Sequence, residues 1–279
     1  MFSEELELAK KLAMEAGKIV MDRFGSYKDM TTIPRSMVTD ADQESSAYII
    51  GEISKCFPKH VVISEETELG AKLNTTESMK EVLAGYTSEH KYCWIVDPLD
   101  GTMNFAYGRP EFSIAIGLIR HGEPVAGVVY APYDEDLYFA EKGAGSFFVN
   151  NRHNVRRKIT VLACELQNAI VAYDWGMNHD AMKYFVRKIP QLAENARGLR
   201  QQHGSALGLC YVANGRSSAY IDFDVKPWDI AAALVILKEA GAAMTDINGK
   251  KISIASANVM ASNGKIHNKL LTMLGGYNE

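Results

Sequence analysis

Between residues 3 and 24 the apolar positions fall on one side of a helix. Leu8, Leu12, Ala16, Ile19 and Val20 follow one another at spacings of four, four, three and one, the stripe that an amphipathic helix buries. Ser3 supplies a cap, Glu4 and Glu5 suit the positive end of the helix dipole, and Gly25 ends the element. A second helix is expected from 41 to about 57, stopped by Pro58. The pattern then changes to short apolar runs at 60–64, 92–96, 113–119, 125–130 and 136–140, which read as strands. Arg120-His121-Gly122-Glu123 and the segment 141–145 read as hairpin turns. The first half therefore predicts helices packed on an antiparallel or mixed sheet. From about residue 160 strands and helices alternate, with strands at 169–173, 218–222 and 243–246 and helices at 180–192, 206–214 and 228–240. No repeat or Pro/Gly-rich linker interrupts the chain. The expected division is 1–145 and 146–279, two closely packed halves meeting near 143–158.

Composition narrows the class. The chain has 279 residues, 47% of them apolar and 23% charged, as in an ordinary globular protein and unlike disordered, collagen-like or coiled-coil chains. With 30 Lys and Arg against 34 Asp and Glu, the formal charge is −4, so neither nucleic acid nor an anionic membrane is an expected partner. The cluster Arg152, Arg156, Arg157 and Lys158 reads as a solvated turn. Cys56, Cys93, Cys164 and Cys210 are far apart and form no metal-binding spacing. They read as buried, reduced thiols of an intracellular protein. The acidic start and the lack of a long apolar run imply no signal peptide and no membrane span, hence a cytoplasmic location.

Chemistry concentrates at Trp94-Ile95-Val96-Asp97-Pro98-Leu99-Asp100-Gly101-Thr102. An apolar strand delivers Asp97 to its end, where ligands of open sheets bind. Asp97 and Asp100, three residues apart, can face one point with the Leu99 carbonyl between them, and oxygen-only donors suit a hard cation such as Mg²⁺. Gly101 and Thr102 can present free N–H groups to an anion if a helix starts there. A capping pair of aspartates around a turn fits the same spacing. Three further acidic positions bear on that choice. Glu65 and Glu66 end the run 61–64, Asp40 and Asp42 open the second helix, and Asp229 opens the apolar helix at 228. Taken alone, Asp40 and Asp229 read as helix caps.

Together these residues resemble the inositol monophosphatase family. Asp97-Pro98-Leu99-Asp100-Gly101-Thr102, Trp228-Asp229-Ile230-Ala231-Ala232 and Glu239-Ala240-Gly241 are similar to its two signature motifs. Ile63-Ser64-Glu65-Glu66 and Val38-Thr39-Asp40-Ala41-Asp42 match two further segments in the expected order, and Gly143-Ala144-Gly145 with Asn150 extend the likeness. Haloacid-dehalogenase phosphatases, whose aspartates stand two apart, are excluded by the same spacing.

The resemblance implies an α+β fold layered αβαβα, of the inositol monophosphatase and sugar phosphatase kind, and hydrolysis of phosphate monoesters with two or three Mg²⁺ ions. Carried over, Glu65, Asp97 and the Leu99 carbonyl would hold one ion, and Asp97, Asp100 and Asp229 a second; Glu65 would share a third. Thr102 and Asp42 would orient the attacking water and help deprotonate it. Gly101 and Thr102 would bind phosphate, and Gly204, Ser205, Ala206 and Asp222 would meet the rest of the substrate. The implied substrate is inositol monophosphate or a related polyol or sugar phosphate, with lithium sensitivity and a homodimeric state. The alternatives are a fructose-1,6-bisphosphatase, a nucleotide 3′-phosphatase, or a non-catalytic RNA- or protein-associated regulator. Electrostatics points the same way: five ionised carboxylates repel one another and a phosphate dianion until divalent cations invert the local field.

Overall fold

The run at 92–96 is apolar throughout because both of its faces are buried. It lies in β2 of a computed structural model that describes residues 3–25, 39–73, 77–81, 85, 92–176, 178–202 and 204–275. Seven strands form the first sheet in chain order: β1 (Val61–Ser64), β2 (Tyr92–Asp100), β3 (Ser113–Arg120), β4 (Glu123–Ala131), β5 (Asp136–Glu141), β6 (Gly145–Asn150) and β7 (Val155–Ile159). β1 runs parallel to β2, and every later pair is antiparallel. Trp94 and Val96 join the core formed with α1 (Glu4–Arg23) and α2 (Asp40–Cys56). Their neighbours Cys93 and Ile95 join a second core on the opposite face, as strand alternation requires.

Further helices are α3 (Thr102–Ala106), α4 (His179–Val186), α5 (Ile189–Asn195), α6 (Ser205–Ala213), α7 (Pro227–Glu239) and α8 (His267–Leu274). A second sheet contains β8 (Ile170–Asp174), β9 (Gly198–Gln201), β10 (Ala219–Asp222), β11 (Ala243–Thr245) and β12 (Val259–Ser262), in the order β11-β12-β10-β8-β9. β8, β9 and β10 are parallel, and β12 is antiparallel to both its neighbours. Leu207 of α6 and Ala231 of α7 share one core with Ile95 of the first sheet and with Tyr220 and Ala261 of the second. Beyond the second sheet, Phe185, Leu192 and Leu270 of α4, α5 and α8 pack on Val171, Ile221 and Met260. The layers therefore run α, β, α, β, α, the expected architecture.

Several details differ from the expectation. The buried stripe of α1 is Leu6, Ala9, Leu12, Ala13, Ala16 and Val20, with Leu8 and Ile19 on its partly buried flank. The helix expected over 180–192 is two helices, with Pro190 in the first turn of α5, where a missing N–H costs nothing. β9, β12 and α8 are additional elements. The basic cluster is a turn only in part: Arg152 lies in the turn at 151–154, whereas Arg156, Arg157 and Lys158 lie on β7, an exposed edge strand, where charge discourages pairing with another chain. The first sheet continues to Ile159, so β6 and β7 lie with the strands before residue 145. Cys93 and Cys210 are buried, but Cys164 is partly accessible and Cys56 is exposed. Among the described residues no helix is long and apolar enough to cross a membrane.

One contact sets where α7 lies. A Cβ on Gly127 of β4 would overlap the Ala232 carbonyl, and one on Gly117 of β3 would stand 2.9 Å from the Ala231 Cβ. Gly127→Ala should therefore push α7 off the sheet at a cost of about 3 kcal/mol. A thermal melt within error of wild type would show that the helix accommodates the methyl group.

Candidate active site

A bulge in β2 brings its two aspartates to one side. Residues three apart on a regular strand point to opposite faces. Here Asp97 pairs with Ala115 and Asp100 with Ser113, so three steps along β2 match two along β3. The extra residue reverses the alternation and re-aims the second side chain. Pro98, which has no N–H to give a ladder, sits in this irregular stretch, and its carbonyl accepts a hydrogen bond from Ser45 Oγ of α2 at 2.9 Å. Gly101 follows with φ 86°, a left-handed conformation that suits glycine, and α3 begins at Thr102.

Asp229 arrives from the other side of the sheet, at the third position of α7, where its Oδ2 accepts the Lys226 N–H at 2.6 Å. It is therefore not the cap residue itself. One carboxylate oxygen each from Asp97, Asp100 and Asp229 lie within 4.8 Å of one another. Glu65, beyond the end of β1, is outside this trio yet close enough to raise the proton affinity of both Asp97 and Asp229. The Leu99 carbonyl faces Thr102 Oγ1 at 3.0 Å, and Asp42 Oδ1 lies 3.1 Å from the same hydroxyl. Thr102 thus has two acceptors for one proton. Asp42 is fixed by a capping box, its Oδ2 accepting the Thr39 N–H at 2.7 Å and the Thr39 hydroxyl. The cap of α2 is this Thr39–Asp42 pair rather than Asp40, which is exposed; Val38 lies outside the described residues.

Asp100 also organises α6. Its Oδ1 accepts the Ser205 N–H at 2.9 Å, and its Oδ2 accepts the Leu207 N–H at 3.3 Å and the Ser113 hydroxyl at 3.0 Å. Gly204 is the local cap residue and has no side chain to offer, so a distant aspartate satisfies the helix amides. Ser205 Oγ in turn donates to Asp222 Oδ2 at 2.7 Å. Ala206, buried in the same first turn, presents only its backbone to the site.

The acids are under electrostatic tension. Burial pushes Asp97 and Asp229 well above the ordinary aspartate range, with neighbouring carboxylates adding to the shift. Burial, then Glu66 and Asp42, raise Glu65 to about 8. Asp100 reaches only about 6, because Ser113 and the amides of α6 stabilise its charge against burial. Asp42 is raised by burial despite its hydrogen bonds. Among the described residues no Lys or Arg pairs with these acids; the nearby Lys226 is engaged by Asp224 at 3.2 Å. Buried carboxylates of one sign need positive charge, and an all-oxygen donor set fits a hard divalent cation.

Glu66 was given no role by the sequence reading, yet burial and Asp42 raise it to about 7, so it faces the same cluster. Ser113 carried no signal either, because its importance depends on the bulge register. Thr39 was legible in the T-x-x-D pattern of a capping box.

The layered αβαβα fold thus gathers an acid cluster, uncompensated among the described residues, at its strand and helix ends. The chain belongs to the inositol monophosphatase family, whose profile matches residues 2–277. It is 30% identical over 273 residues to a fructose-1,6-bisphosphatase/inositol-1-monophosphatase of Thermotoga maritima, covering 97% of this chain and 96% of that one. It is also 30% identical over 275 residues to a putative Nus factor SuhB of Neisseria meningitidis, covering 98% of each. Among solved structures, extragenic suppressor protein suhB of Bartonella henselae superposes with a TM-score of 0.83 at 29% identity, covering 99% of this chain and 100% of that one.

Proposed function

We propose that the protein hydrolyses a small phosphate monoester of a polyol or sugar, inositol monophosphate being the first candidate, in a Mg²⁺-dependent reaction. The observation that carries this reading is the convergence of Asp97, Asp100 and Asp229 within 4.8 Å, buried or partly buried and without a paired cation among the described residues. Asp97, Glu65 and the Leu99 carbonyl would hold one ion, and Asp97, Asp100 and Asp229 another. Bound Mg²⁺ supplies the positive charge that offsets the carboxylates, activates water and stabilises the leaving oxygen. Thr102 Oγ1, between the Leu99 carbonyl and Asp42, orients the attacking water, and Asp42 draws off its proton through that hydroxyl. The backbone N–H groups of Gly101 and Thr102 receive the phosphate oxygens. Gly204, Ser205, Ala206 and Asp222 form the wall toward the alcohol that leaves.

The name of the Thermotoga relative supports a site tolerant of more than one phosphorylated polyol, fructose 1,6-bisphosphate included. The Neisseria relative's name supports a second, non-catalytic reading. Phosphate release over a panel of inositol, glycerol, fructose and nucleotide phosphates separates the two. Activity should depend on Mg²⁺, vanish with EDTA, and fall with LiCl more than with KCl at matched ionic strength, since Li⁺ is close to Mg²⁺ in size with half the charge. Full activity after exhaustive chelation would remove the metal assignment, and silence on every ester would favour the regulatory reading.

A further inference from the structure

The peptide unit between Pro98 and Leu99 is held at both ends. Its carbonyl accepts the Ser45 hydroxyl of α2 at 2.9 Å, and its N–H donates to Asp97 Oδ1 at 3.0 Å. A carbonyl that accepts a hydrogen bond polarises its peptide and makes the N–H of the same unit a better donor. Ser45, this peptide and Asp97 therefore form one chain of hydrogen bonds, which starts on a helix and ends on a carboxylate of the acid cluster. Ser45 is fully buried and Asp97 nearly so, so water does not compete for either bond. A serine inside a helix commonly turns its hydroxyl back to a carbonyl of the preceding turn. Ser45 instead reaches another element. It stands one turn after Asp42, whose Oδ1 accepts the Thr102 hydroxyl at 3.1 Å. One face of α2 thus fastens the segment 98–102 at its two ends, with Leu99 and Asp100 between them and Asp97 immediately before. The adjacent Ser46 takes no part in this, since its hydroxyl meets Ser64 Oγ of β1 at 2.9 Å.

We propose that Ser45 is a positioning residue for ion binding: through the Pro98–Leu99 peptide it holds the Asp97 carboxylate in the orientation that both ion positions share. This rests on the Mg²⁺ assignment given above and extends it to a residue on a different element. Ser45 acts through the peptide and touches neither ion nor substrate. Without its hydroxyl the peptide can rock, and the Leu99 N–H no longer fixes Asp97 Oδ1. A serine that only packs α2 against the sheet would affect stability and leave ion affinity alone. One that aims Asp97 weakens the ion itself.

The test is isothermal titration calorimetry of Mg²⁺ into the chelator-stripped protein without substrate, for wild type, Ser45→Ala and Ser45→Thr. Phosphate release from myo-inositol 1-phosphate is followed over the same range of Mg²⁺. Ser45→Ala should raise the Mg²⁺ Kd by about tenfold or more, the usual scale for a group that orients a ligand carboxylate. The Mg²⁺ concentration for half-maximal phosphate release should move by the same factor, while KM for the ester at saturating Mg²⁺ changes little. Ser45→Thr keeps the hydroxyl and should recover most of the affinity. Ser45→Cys, whose thiol is a weak donor, should fall between and serves if Ser45→Ala folds poorly. A lower melting temperature with an unchanged Kd in Ser45→Ala would reduce Ser45 to a packing role and overturn the proposal. So would a loss that Ser45→Thr shares in full. A wild type that binds Mg²⁺ yet releases no phosphate would remove the phosphatase reading, and the Kd comparison would still decide this role. A wild type that binds no Mg²⁺ would remove the ion assignment and this role with it.

Discussion

Asp97→Asn should reduce phosphate release by about three orders of magnitude or more, the scale of losing a preorganised charge at a reacting centre, while making the metal-free protein more heat-stable. Asp97 is the acid shared by both proposed ion positions, so one neutral amide weakens two sites. It is also 2% exposed and pressed by Glu65, Asp100 and Asp229. The Leu99 N–H that bonds Asp97 Oδ1 at 3.0 Å can still be accepted by an amide oxygen, so the bulge keeps its internal link. Replacing a buried, unpaired carboxylate by its neutral isostere should then stabilise the metal-free fold by about 1–2 kcal/mol. Loss of activity with a raised melting temperature separates a chemical defect from unfolding. Near-normal turnover at saturating Mg²⁺ would remove Asp97 from the site, and a lower metal-free melting temperature would contradict the electrostatic account.

Much of this arrangement was legible in the chain because strands and cores write their own patterns. The doubly buried β2 declared itself as an uninterrupted apolar run ending in Asp97, and α1 announced its start through Ser3, whereas the cap of α2 was read at Asp40 and is the Thr39–Asp42 pair. The site was harder to read because its geometry depends on register. That Asp97 and Asp100 share a side follows from one extra residue in β2 relative to β3, and the pairing of Asp100 with Ser113 follows from the same slip. Neither leaves a mark on local sequence. The link between Asp100 and α6 spans 105 residues and exists because Gly204 leaves helix amides without a local partner. Asp229, read in isolation, was indistinguishable from a cap; only its approach to the two β2 aspartates gives it chemical meaning. The basic segment at 156–158 was misread because charge on an edge strand and charge on a turn have the same composition.

The second large effect concerns pH and should be seen without any substrate. In EDTA the melting temperature should fall by about 5–10 °C between pH 5 and pH 8, the reverse of what buried ion pairs produce. The sign follows from proton uptake. Unfolded carboxyls titrate near pH 4, whereas folded Asp100, Glu66, Asp222 and Glu65 titrate near 6, 7, 7 and 8, and Asp97 and Asp229 lie well above their ordinary value. Across this window the native state holds more protons than the unfolded chain, so stability declines as pH rises. His60 and His267 act in the opposite sense. Burial lowers the proton affinity of both, His267 lying between Ser262 and Thr245, so their contribution grows as pH climbs toward 6.5. Two imidazoles nonetheless oppose seven carboxyls, Asp42 being raised by burial as well. Saturating Mg²⁺ should raise the melting temperature far more at pH 8 than at pH 5, because cation binding requires the ionised acids and displaces their protons. Differential scanning fluorimetry at several pH values, with EDTA and with Mg²⁺, measures both slopes. A metal-free melting temperature that is flat or rises from pH 5 to pH 8 would mean that the cluster is compensated by some other charge. A Mg²⁺ shift equal at both ends would mean that the ion binds somewhere other than these carboxylates.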